Sequence, residues 1–256
     1  MKNNLFYTKP LSNIYKKPSV TSEVTSQILY GEKFKILSKN KNWIKIKMSF
    51  DNYIGYIKNK NYKISYKSTH KVFVLKASIF NKPNNKTKDC LPFASRISII
   101  QENKKFIEFE KNKWIKKTDI KKINHFEKDY LKILKLFLNT KYIWGGKTYK
   151  GIDCSAILQL LYYYNNKFYP RDTKDQIKYS IKNAKRSILK KGDIIFWEGH
   201  VAICINSKKL IHAYGPEKKV LIMSITKTID RIERTAKLIV KKVSSIKINF
   251  YQNLVC

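Results

Sequence analysis

The chain has 256 residues, and its 54 Lys+Arg against 18 Asp+Glu give a formal net charge of +36. Such a balance invites a nucleic-acid partner, yet only Arg96, Arg171, Arg186, Arg231 and Arg234 are arginine, the residue that base readout and bidentate phosphate contacts favour. The lysines run along the whole chain, so they are read as solvated faces with salt-sensitive, non-specific adhesion, and no specific nucleic-acid partner is expected.

The first half repeats itself. Asn13-Ile14-Tyr15-Lys16-Lys17-Pro18 is echoed by Ser78-Ile79-Phe80-Asn81-Lys82-Pro83, and Trp43-Ile44-Lys45-Ile46-Lys47 by Phe106-Ile107-Glu108-Phe109-Glu110. Gly55-Tyr56-Ile57-Lys58 returns as Lys113-Trp114-Ile115-Lys116. Both copies alternate apolar and polar residues over short runs, the signature of half-buried strands. The pattern predicts two small β-barrels, residues 8–66 and 67–122, ahead of a third domain over 124–256.

That third part opens on a loop flanked by Gly145, Gly146 and Gly151 and then turns helical at Cys154. Ile157, Leu158, Leu161 and Tyr162 recur at spacings of three and four. Asp153 stands at the N-cap position, which puts Cys154 in the first turn. The free N–H groups and positive dipole end of that turn favour a thiolate and predict a thiol pKa below its free value of about 8.5. Further on, Pro170-Arg171-Asp172-Thr173-Lys174-Asp175-Gln176 reads as a second helix start, with Asp172 or Thr173 capping and Asp175 in the first turn.

Ile194–Trp197, Val201–Ile205 and Leu210–Tyr214 read as three short strands, with Asn206 to Lys209 turning between the last two. A three-residue loop would set Ile205 opposite Lys209 and Ala202 opposite His212, bringing His200 and His212 to one face as diagonal neighbours about 7–8 Å apart. A four-residue loop would put the two rings on opposite faces. A nucleophilic thiol needs a base within reach, and that base needs a partner to orient its ring; Cys154, His200 and His212 could supply the three. The other cysteines, Cys90, Cys204 and Cys256, form no metal-ligand spacing and no Cys-x-x-Cys, so neither a zinc site nor a disulfide framework is expected. No metal and no cofactor are expected either.

The segment from about Asn124 resembles the NlpC/P60 peptidases, papain-like cysteine peptidases that cut bacterial cell-wall peptides. The resemblance is carried by Tyr142 to Gly146, Asp153-Cys154-Ser155, Gly192 to Trp197, Gly199 to Ile203 and Ile211-His212-Ala213. Lys141 and Ala156 depart from it, standing where the family usually has Pro and Gly. It implies an α+β fold in which helices pack on an antiparallel sheet. It also implies Cys154 as nucleophile, His200 as general base, His212 as third polar residue and Tyr142 beside the thiol, with Asp153 and Ser155 lining the cleft.

Leu29-Tyr30-Gly31-Glu32 and Asp51 to Tyr56 resemble a bacterial SH3 domain. NlpC/P60 enzymes with such domains in front carry a segment similar to Arg171-Asp172-Thr173. By that narrower resemblance Asp172 and Thr173 hold the substrate, Asp172 at the free amine of an N-terminal L-alanine. Glu32 and one of Tyr53, Tyr56, Tyr62 and Tyr66 would assist. The start has a basic region but no apolar core of a secretory signal, and no run reaches the roughly 20 apolar residues of a membrane span. A cytoplasmic γ-D-glutamyl-L-diamino acid endopeptidase is therefore expected, cutting free murein peptides of the type L-Ala-γ-D-Glu-diamino acid. An exported hydrolase of intact wall and a non-catalytic wall-binding protein are its rivals.

Overall fold

The computed structural model describes residues 4–60, 62–181 and 188–247; Arg186, Cys256 and the first three residues lie outside them. The chain divides into two compact units, Met1–Phe126 with Ile143–Ile152, and Glu127–Tyr142 with Asp153–Cys256. Residues 143–152 thus group with the first unit, although they fall inside the span read as the third domain.

The first unit is built of strands. They are β1 Leu5–Phe6, β2 Leu11–Tyr15, β3 Val24–Leu29, β4 Lys33–Lys39, β5 Trp43–Met48 and β6 Ile54–Lys58, then β7 His70–Val72, β8 Lys76–Lys82, β9 Asn85–Pro92 and β10 Arg96–Ile97. After them come β11 Gln101–Glu102, β12 Phe106–Glu110, β13 Lys113–Lys116, β14 Ile120–Lys122 and the hairpin β15 Lys147–Thr148 with β16 Gly151–Ile152. The first sheet runs β1-β4-β5-β6-β2-β3 and a later one β11-β12-β13-β8-β9. From β4 onward the two follow the same path strand for strand, so the sequence repeat is also a repeat of topology.

Alternation explains the first copy well. In β5, Ile44, Ile46 and Met48 are buried while Lys45 and Lys47 lie half-buried between them, and the buried set joins Ile14, Ile28, Phe34 and Ile57 in one core. The second copy departs from strict alternation, because Glu108 is buried along with Ile107 and Phe109. Its carboxylate is not stranded. It accepts Gln101 Nε2 at 2.6 Å and the Asn112 amide at 2.6 Å, beside a bulge between Glu108 and Glu110. A buried carboxylate persists where its lone pairs are matched.

Among the described residues, the second unit holds four helices, α1 Tyr130–Leu136, α2 Cys154–Tyr164, α3 Thr173–Tyr179 and α4 Ile225–Ala236. Its sheet combines β17 Asp193–Trp197, β18 His200–Cys204, β19 Lys209–Tyr214, β20 Lys219–Ser224 and β21 Lys242–Ser245 in the order β20-β19-β18-β17-β21, every pair antiparallel. This is the α+β arrangement expected for the catalytic part. All eleven residues of α2 are buried, and the helix packs on β18 and β19. Ile195, Trp197, Ala202, Cys204 and Leu210 form a core with Ile225, Ile229 and Ile232 of α4. Among the described residues, no helix is long and apolar enough to cross a membrane.

Candidate active site

Asp153 starts the site. Its extended backbone, φ −98° and ψ 173°, caps α2, and its Oδ1 accepts the Ala156 amide at 2.9 Å. Cys154 is therefore the first residue of the helix, as the sequence predicts. The same carboxylate pairs bidentately with Arg171, at 2.9 Å from Nη1 to Oδ1 and 2.6 Å from Nη2 to Oδ2. Ser155 Oγ donates to Asp153 at 3.1 Å and accepts Arg171 Nη1 at 2.9 Å. Gln176, reaching back from α3, donates to the backbone carbonyls of Ser155 and Pro170, each at 2.9 Å. Asp153 and Ser155 thus belong to a buried, charged network that fixes the start of α2.

Sequence reasoning quoted Arg171 but gave it no role. Its signal was there: it is one of five arginines in a chain whose other cations are lysines, and only guanidinium offers two parallel donors to a carboxylate. Asp172 occupies the N-cap position of α3 without a capping hydrogen bond from its side chain. Burial raises its carboxyl above the ordinary value, and the charges of Arg171 and Lys174 pull it back. Thr173 is buried, and its side chain acts to lower the Cys154 thiol pKa.

The histidines come from β18 and β19. Ile203 pairs with Ile211, Cys204 with Leu210, and the Ile205 amide donates to the Lys209 carbonyl at 2.9 Å. That is the register of the three-residue connection, and it places both imidazoles on one face. His200 Nε2 lies 2.9 Å from His212 Nδ1. Trp197, His212 and Tyr214 stand 5.1–5.6 Å from the His200 ring, and Tyr214 stacks on His212 at 4.7 Å. The turn that delivers His200 uses Gly199 at φ +72°, where a Cβ would meet nothing within 4 Å; the constraint there is the left-handed backbone, not room. The Gly199 carbonyl in turn lies 3.9 Å from Cys154 Sγ.

One expectation is overturned. Burial pushes the Cys154 thiol up to about 11, and the charge of Asp153 adds to the rise. The Val201 amide, Thr173 and Arg171 act the other way and do not compensate. The helix terminus does not deliver a lowered thiol here because Cys154 is 5 % exposed and shares that terminus with a carboxylate. Burial also holds His200 down to about 4 and His212 well below the ordinary histidine value, with His200 and Arg231 lowering the latter further. These shifts leave a thiol and two neutral imidazoles at neutral pH. Tyr142, half-buried, has its phenol raised by burial and by the charges of Cys154 and Asp153, so it stays a hydroxyl donor.

Glu32 stands in the first unit and is 2 % exposed. Its Oε1 pairs with Lys147 Nζ at 2.8 Å, and its Oε2 accepts the Leu29 amide at 2.7 Å. The structure thus gives this carboxylate an internal cation, where the sequence suggested a substrate amine. Among the described residues no cluster of three His, Cys, Asp or Glu side chains could hold a metal.

A thiol, an imidazole base and a second imidazole that orients it are the parts of an acyl-transfer site. Comparison with known proteins agrees. Residues 139–235 match the NlpC/P60 family, and residues 14–61 match the bacterial dipeptidyl-peptidase Sh3 domain. The chain is 24 % identical to dipeptidyl-peptidase 6 of Lysinibacillus sphaericus over 79 % of its own length and 84 % of that protein. It is 23 % identical to gamma-D-glutamyl-L-lysine dipeptidyl-peptidase of Bacillus subtilis, over 80 % and 77 % respectively. Among solved structures, an NlpC/P60 family protein from Bacillus cereus superposes with a TM-score of 0.74 at 19 % identity, covering 87 % of this chain and 94 % of that one. With the fold, the site geometry and both sequence matches in agreement, residues 139–235 carry an NlpC/P60 cysteine peptidase domain and residues 14–61 ahead of it a bacterial dipeptidyl-peptidase SH3 domain.

Proposed function

We propose that this enzyme hydrolyses the γ-D-glutamyl–diamino acid bond of free murein peptides that begin with L-alanine, releasing L-Ala-γ-D-Glu. The observation that carries the reading is the 2.9 Å contact between His200 Nε2 and His212 Nδ1, in the same unit as a helix-terminal thiol. With Nε2 engaged, His200 Nδ1 is the nitrogen left for the Cys154 proton. Sγ attacks the γ-glutamyl carbonyl as that proton moves to His200. The proton then passes to the leaving amine of the diamino acid, and a thioester remains. His200 next takes a proton from water, the hydroxide adds to the thioester carbonyl, and the thiol is re-formed with the dipeptide released.

Substrate binding is assigned to Tyr142, whose hydroxyl keeps its proton, and to Asp172 and Thr173. A free α-amino group is cationic near neutral pH, and the half-buried Asp172 carboxylate is its match. Asp153 and Ser155 act by holding α2 rather than by touching substrate. Glu32 is already matched to Lys147, so the amine is assigned to Asp172 alone. Residues 8–66 and 67–122 are read as two SH3-like modules and 124–256 as the catalytic domain. The names of the relatives support a cell-wall peptide as substrate, and a cytoplasmic enzyme would meet it as soluble fragments.

The test is mass spectrometry of L-Ala-γ-D-Glu-meso-diaminopimelate and L-Ala-γ-D-Glu-L-Lys, incubated with the protein and with Cys154→Ala. Dipeptide release by the wild type alone is expected. Cleavage of intact sacculi in preference to these peptides would overturn the free-peptide assignment. No cleavage of either, by folded and reduced protein, would overturn the activity.

A further inference from the structure

His212 has a second neighbour that neither the motif nor the proposed reaction uses. In the β19–β20 ladder His212 is paired with Leu221 and Leu210 with Met223, so Met223 is the diagonal neighbour of His212 on the same face. Its Sδ lies 3.3 Å from His212 Nε2. Both ring nitrogens of His212 are thereby engaged, Nδ1 with His200 and Nε2 with a thioether.

A neutral imidazole carries one proton, and these two neighbours decide where it sits. Thioether sulfur has lone pairs and no hydrogen to give; it is a weak acceptor only. An Nε2–H pointing at it is attractive, whereas a bare Nε2 would set lone pair against lone pair at 3.3 Å. The pair of histidines has two internally consistent proton arrangements. In one, His212 carries its proton on Nε2 and accepts at Nδ1 from His200 Nε2–H, which leaves His200 Nδ1 bare. In the other, His212 Nδ1–H donates to His200 Nε2, and His200 carries its own proton on Nδ1. Only the first leaves a lone pair free for the thiol proton. Tyr214 cannot make this choice, since it stacks on the ring face at an interplanar angle of 11° and meets neither nitrogen in the ring plane.

We infer that Met223 is a positioning residue: its sulfur holds His212 as the Nε2–H tautomer, and through His200 it keeps the base in the form that can accept the Cys154 proton. The inference rests on the proposed roles of Cys154 and His200. It also identifies what the site uses in place of a carboxylate or carbonyl at this position, the common partners of an orienting histidine. A sulfur acceptor fixes the tautomer without adding a charge that would stabilise imidazolium.

Met223→Leu keeps nearly the same volume and removes the acceptor. ¹⁵N NMR of histidine-labelled full-length protein reads the tautomer directly, and steady-state kinetics read kcat and KM. For Met223→Leu the Nδ1–H form of His212 is expected to appear, with kcat down about threefold to tenfold, the size of one weak hydrogen bond, and KM unchanged. Met223→Gln, whose amide oxygen can accept, should restore the tautomer and most of kcat. Norleucine in place of methionine gives an independent removal of the sulfur at constant chain length, because Met48 is the only other methionine beyond Met1. His212 remaining wholly Nε2–H in the leucine and norleucine proteins would overturn the inference. So would a loss of kcat with no change of tautomer. The NMR result requires no turnover, so an inactive wild type would sink the proposed reaction and leave the tautomer question answered.

Discussion

Two clusters of polar side chains, one at the start of α2 and one around His200, are built on opposite electrostatic terms. One is charged: Asp153 and Arg171 form a buried bidentate pair, tied to Ser155. The other is neutral: His200 and His212, with Tyr214 and Met223 against them. The charged cluster has nothing to gain from moving a proton, and its two ions compensate each other in a place water does not reach. In the proposed reaction the neutral cluster takes up a proton and gives it back, and burial keeps it uncharged at rest. The lesson is that a buried ion pair fixes the start of α2, whereas the contacts of His200 and His212 are neutral rings and a thioether, with Arg231 as a nearby charge that lowers His212 further.

The contrast predicts chemical failure on one side and structural failure on the other. The largest effect belongs to the neutral side. Cys154→Ala should abolish turnover, and His200→Ala should lower kcat by about 10²–10⁴-fold. Both should leave the thermal midpoint close to wild type, and a large drop in stability from either would break the distinction. Next comes Arg171→Met, which strands a buried carboxylate and should cost about 3–5 kcal/mol in denaturant unfolding. Arg171→Met combined with Asp153→Asn should recover part of that loss; no recovery would mean that the pair is not the source.

A pH titration sharpens the same comparison. His200 is held at about 4 in the folded chain against 6.5 for the ordinary group. The unfolded chain therefore binds more protons between those values, and stability rises with pH across that window. The penalty for charging the buried ring is absent above 6.5 and complete once the pH has fallen through about 4. At about 1.4 kcal/mol per pH unit it amounts to roughly 3 kcal/mol. His200→Ala should flatten the stability curve between pH 4 and 6.5, and an unchanged slope would contradict the lowered imidazole. The smallest effect is expected at Asp172, outside both clusters. Asp172→Ala should raise KM about tenfold for peptides with a free N-terminus, the worth of one charge-assisted contact, and barely alter cleavage of N-acetylated ones. Equal loss on both would remove its role at the amine.

Much of the site was legible because its determinants are local. An Asx residue ahead of an apolar helix caps it, so Asp153 and Cys154 fell where expected. A short turn between strands sets a register, so Ile205 against Lys209 was enough to bring the imidazoles together. The repeat in the first half was visible as alternation and proved to be a shared strand order. The cap of α3 was right in position only, since the Asp172 side chain makes no capping bond.

What stayed hidden depends on burial and on neighbours distant in sequence. The helix terminus predicted a lowered thiol, but how much water reaches Cys154 is decided by packing, and burial raises the thiol. Lys147, a single lysine in a lysine-rich chain, became the counterion of Glu32 across 115 positions of sequence, and Arg171 became that of Asp153. The chain by itself determined where α2 starts, that β18 and β19 pair and that His200 and His212 share a face, because these follow from caps, periodicity and turn length. Only the tertiary structure decided which charges are buried together, that the thiol and imidazoles rest neutral, and that a methionine sulfur meets His212, because solvent exclusion and long-range partners exist only once the chain has packed.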